Sequence, residues 1–222
     1  MNRPLQIGFV AALVLPPVLA ASLDPAGASK VGAWLTYTFT GWFEPLFVLA
    51  SCCLAVERVC YTVVWCCPGR FAAFCEAVRS TPLGGKTPVD VVVKFFTINK
   101  IFQYGGFAIF YHQFPRPTLF PFALVVGMQL VLIGQILNVG IYRAIGKAGV
   151  YYGCKFDQHA EWCTGFPFNV VTAHPQYLGS VLTTFGACLL LANDSVVERG
   201  WFGLAAMQAL QYAYMAYVEH HL

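Results

Sequence analysis

The feature that most constrains the fold is an unbroken apolar run over residues 119–142, which contains no charged side chain and ends at Arg143. About 20 apolar residues are enough for a helix to cross the hydrocarbon core of a bilayer. The whole chain fits this interpretation, because 58% of its 222 residues are hydrophobic and only 10% are charged. Its mean hydropathy is +0.64. The sequence therefore predicts an integral membrane protein.

Further apolar runs are long enough, or nearly long enough, to form membrane helices. They cover residues 7–23, 31–56, 91–111, 175–192 and 201–217. The connector between the last two runs is short, so these helices are expected to form an antiparallel hairpin. The predicted fold is all-α, a multi-pass transmembrane helical bundle of five or six spans that ends in this C-terminal helical hairpin.

Two of these runs leave alternatives open. Residues 7–23 end in small residues, as a signal peptide does, and Pro16 and Pro17 would kink a retained helix. We expect a retained first helix, with cleavage as the alternative. The second run is interrupted only at Glu44, which precedes Pro45. We expect Glu44 to be an interfacial residue between two shorter helices rather than a buried polar group.

Basic residues favour one orientation of the bundle. With six spans, ten of the 13 Lys and Arg residues fall on one side, in the N-terminus and in the loops over residues 57–100 and 143–174. The positive-inside rule places that side, which also holds the C-terminus, in the cytosol. We therefore divide the chain into residues 1–118, N-terminal membrane helices with a cytosolic basic loop, and residues 119–222, a membrane core.

Charge and cysteine content exclude other classes of partner. The net charge is +3 and the chain has no dense basic run or nucleic-acid motif, so nucleic acid is not an expected partner. Six of the nine cysteines lie between Cys52 and Cys75, but neither their spacing nor any partnering histidine matches a zinc site. No metal is expected. The sequence makes no prediction of the oligomeric state.

A polar and glycine-containing stretch, residues 134–179, leads from the longest apolar run into the hairpin. Proline is favoured in the first turn of a helix because its missing N–H needs no partner there. Pro175 thus marks a helix start and His174 its cap. The free N–H groups of such a start suit an anionic ligand. The alternative is an ordinary interfacial cap, with Tyr177 in the aromatic belt of the membrane.

Glu219 is the second candidate. A carboxylate near the end of a membrane helix is costly unless it is paired or reaches water, and the helix dipole disfavours an anion at that end. Glu219 therefore needs a cationic partner from the protein or a ligand, unless it is a solvated chain end. The predicted topology places Glu219 and His174 near the same membrane face.

Glycines and amides form a third set. Gly134, Gln135 and Asn138 lie inside the longest apolar run, where a small residue admits a neighbouring helix or a ligand and amides usually face the bundle interior. Gly149 and Gly153 can act as turn or close-approach glycines. The alternative for the set within the run is helix packing without a ligand.

The order of these motifs is similar to that of the phospholipid N-methyltransferases. These membrane enzymes methylate phosphatidylethanolamine or its methylated derivatives with S-adenosylmethionine, towards phosphatidylcholine. The resemblance covers residues 119–222 well and the first part of the chain poorly. The His-Pro-x-Tyr-x-Gly element by itself is not specific, because isoprenylcysteine carboxyl methyltransferases and membrane sterol reductases carry similar elements. The resemblance is carried by Gly-Val-Tyr-Tyr-Gly at 149–153, Phe-Pro-Phe-Asn at 166–169, Pro-Gln-Tyr-Leu-Gly-Ser at 175–180, Tyr217 and Glu219.

The resemblance implies that S-adenosylmethionine enters from the cytosol among the last three helices and that the phospholipid substrate approaches from the bilayer. It implies Glu219 or His174 as the catalytic residue that removes a proton from the substrate ammonium group. It also implies the endoplasmic reticulum membrane, with the C-terminus in the cytosol. The implied cofactor-binding residues are Gly134, Gly149, Gly153, Tyr177 and Glu219.

The chain departs from the family pattern at two cofactor contacts. The family's Gly-x-Gly aligns with residues 132–134, of which only Gly134 is glycine, and its paired glutamates align with Val218 and Glu219. A degenerate, non-catalytic membrane protein is therefore an alternative. The others are a sterol or enoyl reductase that uses a nicotinamide cofactor and a prenylcysteine carboxyl methyltransferase.

Overall fold

The structure is a computed structural model that describes residues 3–161, 163–171 and 173–222. Within these ranges the chain is helical and contains no β-strand, which confirms the predicted all-α class. Two 3₁₀ turns cover Tyr37–Phe39 and Gly153–Phe156. The α-helices are α1 (Arg3–Leu23), α2 (Pro25–Thr36), α3 (Pro45–Cys66), α4 (Pro68–Ala77), α5 (Pro88–Tyr111), α6 (Pro121–Val150), α7 (Pro175–Leu190), α8 (Asp194–Glu198) and α9 (Trp201–His221).

Proline sets the start of most helices. Each helix from α2 to α7 begins with proline, at the position where a backbone N–H has no helical acceptor. The prediction that Pro175 starts a helix is therefore confirmed. At α5 a capping box adds to this signal, because Thr87 and Asp90 each bond the other's backbone N–H through their side chains. Local sequence thus determines these helix starts.

The apolar run over residues 31–56 does not form one membrane helix, so that part of the prediction is wrong. Helix α2 ends at Thr36 and α3 begins at Pro45, with Glu44 as the residue that precedes it. Both carboxylate oxygens of Glu44 accept a hydrogen bond from Arg199 Nη1, each at 2.7 Å. The expected position of Glu44 between two shorter helices is confirmed.

The prediction of a loop over residues 57–100 is also wrong, because most of this segment is helical. Helix α3 continues to Cys66, α4 follows at once, and α5 begins at Pro88. Charged residues had marked this segment as a loop, but Arg58 and Lys100 lie within α3 and α5. When Arg58 and Lys100 are left out of the count, the predicted cytosolic side still has more basic residues than the other side, by a smaller margin.

Three helical segments of the described chain are long and apolar enough to cross a membrane. They are Pro4–Leu23, Pro45–Cys66 and Pro121–Phe156. This finding supports a multi-pass membrane protein. The total of five or six spans stays a prediction, because the other helices do not meet the same criteria of length and hydropathy.

Helices α6 and α7 run antiparallel with their backbones in contact. A Cβ atom on Gly134 would lie 2.4 Å from the carbonyl oxygen of Gly179, and one on Gly186 would lie 2.6 Å from that of Gly127. The two glycines of each helix are seven residues apart, so both pairs lie along one seam. Membrane helices use such small-residue contacts because lipid supplies little hydrophobic driving force for their association.

The predicted C-terminal hairpin is formed by α7 and α9, which are joined through α8 and pack against each other. Trp201 at the start of α9 is buried and donates Nε1–H to the Cys188 carbonyl of α7 at 2.8 Å. Lys30 and Trp34 of α2 donate to the Asp194 carboxylate of the connector at 2.9 and 2.7 Å. These hydrogen bonds, of which the one from Lys30 has the largest effect, hold the pKa of the Asp194 carboxyl group below its usual value.

Gly146 interrupts α6 near its C-terminal end. Its backbone has φ 61° and ψ −170°, a region that is essentially limited to glycine. The helix continues beyond this kink to Val150, and Tyr152 then adopts a left-handed conformation with φ 57°. The kink therefore sets the direction in which α6 delivers the chain to the turn after it.

Replacing Gly186 by alanine tests the α6–α7 seam. The new methyl group would collide with the Gly127 backbone, which cannot rotate away, so we expect a loss of about 1–3 kcal/mol and a lower midpoint of thermal unfolding in detergent. Gly105→Ala is the matched control, because a Cβ there meets nothing within 4 Å. Equal melting temperatures for the two variants would contradict close packing at Gly186.

Replacing Gly146 by alanine tests the kink separately from packing. A Cβ at Gly146 meets no atom within 4 Å, so any loss of stability comes from backbone strain. We expect thermal unfolding to report a loss of about 1–3 kcal/mol. Gly32→Ala, also in open space but inside regular helix α2, should be neutral or stabilising. A neutral Gly146→Ala variant would show that the chain can bend elsewhere.

Candidate active site

Glu219 lies near the end of α9 and is largely buried, with 14% of its side chain exposed. Its Oε1 accepts a hydrogen bond from the Tyr152 hydroxyl at 2.5 Å and another from the Tyr177 hydroxyl. His174 Nδ1 lies 3.5 Å from Oε2. Glu219 is thus held by protein groups from two segments, the turn after α6 and the start of α7, which differs from the solvated chain end considered as an alternative.

His174 and Tyr177 are positioned by the first turn of α7. Pro175 begins the helix, and His174 precedes it in the left-handed region with φ 47° and ψ 52°. The imidazole stacks on the Tyr177 ring with a centroid distance of 5.2 Å and an interplanar angle of 2°. Both side chains therefore face Glu219, as the predicted topology required of His174.

Tyr152 reaches the cluster from the turn after α6. A Cβ on Gly153 would lie 2.4 Å from the Gln158 carbonyl oxygen, so this turn needs glycine. The buried Tyr152 ring packs edge-on against Tyr61 and Trp65 at centroid distances of 5.4 and 5.2 Å. This packing fixes the hydroxyl that donates to the carboxylate. Tyr152 was not among the predicted site residues, although it lies inside the 149–153 motif.

Two predicted cofactor contacts lie apart from this cluster. Gly134 is buried on the seam between α6 and α7, where a Cβ would collide with Gly179 and Thr183. A Cβ on Gly149 would meet the Ile145 side chain one turn earlier on α6. Gly134 therefore has a packing role whatever else it does. Contact of these two glycines with a cofactor stays a prediction.

A cavity of about 420 Å³ lies between α5 on one side and α6 and α7 on the other. Its lining is polar towards the start of α7 and apolar towards its end. Tyr104 and Tyr142, which are 68% and 49% exposed on the outside of the bundle, flank it. The polar lining includes Lys100, Gln103, Gln135, Asn138, Gln176 and Ser180, and the apolar lining includes Phe107, Ala187, Leu191 and Trp201.

A second cavity of about 150 Å³ adjoins the first, and Tyr212, Gln176 and Lys100 line both. Half of its lining residues are aromatic, Tyr152 and Tyr177 among them, and Arg58 and Lys100 also line it. Aromatic faces attract alkylated cations through their quadrupoles. The side of this space formed by Tyr152 and Tyr177, which donate to the Glu219 carboxylate, therefore suits a methylated ammonium or a sulfonium group, whereas the side of Arg58 and Lys100 suits an anion.

A buried ionic cluster borders both cavities and was not foreseen from the sequence. Glu57 is fully buried and forms ion pairs with Arg58 of α3 and Lys100 of α5. The Arg58 guanidinium also lies over the Tyr61 and Tyr212 rings, 4.6 and 4.3 Å from their centroids. The signal was present, since charges that interrupt long apolar runs can face a bundle interior, but these charges were assigned to a loop.

Comparison with known proteins finds similarity in the C-terminal part of the chain. Residues 122–221 match the model of the phospholipid methyltransferase family. A curated relative from Arabidopsis thaliana, named phosphatidyl-N-methylethanolamine N-methyltransferase, is 38% identical over 90 residues. That stretch covers 40% of this chain and 49% of the relative, about half its length. No solved structure is significantly similar.

The family match covers the Glu219 cluster and the α6 and α7 wall of the cavities, but not the wall formed by α3 and α5. It contains α6, α7 and α9 and all the residues selected from the resemblance, from Gly134 to Glu219. The resemblance in the order of the motifs is confirmed, since residues 122–221, a little less than half of the chain, are similar to the phospholipid methyltransferase family.

Proposed function

We propose that the chain transfers methyl groups from S-adenosylmethionine to the headgroup amine of phosphatidylethanolamine or its methylated derivatives, towards phosphatidylcholine. The curated relative is named for methyl transfer to phosphatidyl-N-methylethanolamine. The observation that carries the proposal is the amphipathic cavity beside α5, which leads through the aromatic cavity to the Tyr177–Glu219 hydrogen bond. The family match favours this reaction over a nicotinamide-dependent reductase or a carboxyl methyltransferase.

The larger cavity suits a phospholipid. A headgroup would lie among the amide and hydroxyl side chains near the start of α7, and an acyl chain would follow the apolar wall towards Leu191 and Trp201. The exposed residues Tyr104 and Tyr142 flank the cavity at the outside of the bundle. The lipid therefore enters the cavity laterally from the bilayer.

The residues present also fit the methyl donor. Asn138 Oδ1 lines the cavity, is buried and has no partner within the described ranges, so it is available to a polar ligand. The Glu219 carboxylate and the aromatic walls complement a positively charged ligand. S-adenosylmethionine supplies an electrophilic methyl group on a positively charged sulfur. The residues that we assign to its binding, following the family, are Gly134, Gly149, Gly153, Tyr177 and Glu219.

Methyl transfer requires a neutral amine, so the chain must first remove a proton from the substrate ammonium group. Tyr177 lines the smaller cavity and donates its hydroxyl hydrogen to Glu219. A proton that leaves the ammonium can pass to the Tyr177 oxygen as the hydroxyl proton passes to Glu219. His174, which is 38% exposed and lies beside the other carboxylate oxygen, connects this route to water. Glu219 is the base in this scheme, and Tyr177 and His174 relay the proton.

We propose that the end of the bundle that holds Glu219 and His174 lies at the cytosolic face of the endoplasmic reticulum membrane. The support is the excess of basic residues on that side and the need of a water-soluble cofactor to reach Glu219. The family resemblance supports the organelle.

Replacing Tyr177 by phenylalanine, or Glu219 by glutamine, tests the proton route. Both changes keep the side-chain shape and remove the relay or the base, so we expect kcat to fall by about 100-fold or more. The measurement is transfer of a labelled methyl group from S-adenosylmethionine to phosphatidyl-N-methylethanolamine by the protein in lipid nanodiscs.

Tyr214→Phe is the control for these variants. Tyr214 lies on α9 with Glu219 but is 50% exposed on the outside of the bundle, so its loss should leave kcat unchanged. Absence of labelled lipid with the unaltered protein, beside an active enzyme, would refute the proposed function. Normal turnover by Tyr177→Phe would refute the relay alone.

A further inference from the structure

The ionic cluster of Glu57, Arg58 and Lys100 lies outside the stretch that matches the family, and 38% of the Lys100 side chain is exposed. Glu57 Oε2 is 2.8 Å from Arg58 Nη2, and Glu57 Oε1 is 2.9 Å from Lys100 Nζ. The Glu57 side chain is fully buried and 5% of the Arg58 side chain is exposed. Ionisable side chains inside a membrane bundle are costly, and they usually mark a ligand site or pathway.

The cluster has one positive charge that no carboxylate within it neutralises. Glu57 is shared between both cations, and Lys100 Nζ also donates to Gln103 Oε1 at 2.7 Å. The Lys100 ammonium group lies 2.9 and 3.2 Å from the two Glu57 carboxylate oxygens and 2.7 Å from Gln103 Oε1, so acceptors already face its three N–H donors. Arg58 Nε is buried and has no hydrogen-bond partner within the described ranges. The net positive charge of the cluster and this free donor favour an anion as a further partner.

Lys100 stands where the two cavities meet, since it lines both of them. On one side the larger cavity continues to apolar residues such as Leu191. On the other side the smaller cavity contains Arg58 and reaches Tyr177, the donor to Glu219. The order along this path is apolar wall, cation, aromatic space and carboxylate. It matches the order of acyl chain, phosphate and amine in a phospholipid.

We propose that Lys100, held by Glu57 and Gln103 and backed by Arg58, binds the phosphodiester of the substrate phospholipid. The proposal rests on the proposed function and adds a substrate contact to it. The phosphodiester is common to phosphatidylethanolamine, its methylated forms and phosphatidylcholine. One phosphate site can therefore hold the lipid at every stage while the amine changes in the aromatic cavity.

The cofactor carboxylate is a second possible source of the anion. The cofactor contacts implied by the family all lie on α6, α7, α9 and the turn after α6, whereas Lys100 projects from α5 on the opposite wall of the larger cavity. The lysine also adjoins the apolar groove that an acyl chain needs. These two placements favour the lipid phosphate, and separate titrations with lipid and cofactor distinguish the sources.

The test compares Lys100→Met with Lys86→Met, which removes the same charge from an exposed residue of the loop before α5. Short-chain phosphatidylcholine, diacylglycerol with the same acyl chains, and S-adenosylmethionine are titrated separately against each protein in a detergent without phosphate. Ligand-induced shifts of the melting temperature give the affinities. Because no turnover is needed, phospholipid binding can be scored even if the proposed methyl transfer fails.

We expect Lys100→Met to weaken phosphatidylcholine binding by about tenfold or more, the loss typical of a hydrogen bond to a charged group. Its binding of diacylglycerol and S-adenosylmethionine should not change. Lys86→Met should bind as the unaltered protein does. Lys100→Arg should retain most of the phospholipid affinity, because it keeps a donor and a charge at the same place.

Two results would overturn the proposal. One is equal binding of phosphatidylcholine and diacylglycerol by the unaltered protein, and the other is a loss of cofactor rather than phospholipid affinity in Lys100→Met. If Lys100→Met does not fold, Lys100→Gln decides, because it keeps a polar side chain beside Glu57 and removes the positive charge, so it should weaken phospholipid binding to a similar extent. Unchanged phospholipid binding by folded Lys100→Gln would also reject the phosphate site.

Discussion

The close approach of α6 and α7 is the contact on which the rest of the site depends. The glycine pairs Gly127–Gly186 and Gly134–Gly179 bring the two backbones together, so the amide and hydroxyl side chains that flank this seam line one wall of the larger cavity. With α6 and α7 fixed, the end of α6 and the start of α7 also lie side by side. The Tyr152 and His174 side chains reach Glu219 from these two ends.

The other wall of the site comes from the N-terminal half of the chain. Helix α5 packs on α3, and this pair supplies the charges at the point where the two cavities meet. The family match begins only at residue 122. In the functions that we propose, the matched stretch supplies the proton route and the cofactor contacts, and α3 and α5 supply the contact with the lipid phosphate.

Proline positions and motif order allowed much of the fold to be predicted, including the start of α7, the position of Glu44 between two helices, and the hairpin. The meeting of His174 with Glu219 was also predictable, because topology placed both at one membrane face. The pairing of Glu57 with Lys100 was not, since it joins residues 43 positions apart, and apolar periodicity does not encode such contacts. Tyr152 was missed because its direction depends on a left-handed turn that tertiary packing imposes.

The left-handed backbone conformations of Tyr152 and His174 have a consequence for the affinity of the site for a ligand. A tyrosine at φ 57° and a histidine at φ 47° are each in a conformation that costs about 1–3 kcal/mol. The stacking and hydrogen bonds around Glu219 offset this cost when the chain folds. The donor groups are thus preorganised before any ligand arrives, and the free energy of ordering them is not subtracted from the free energy of binding.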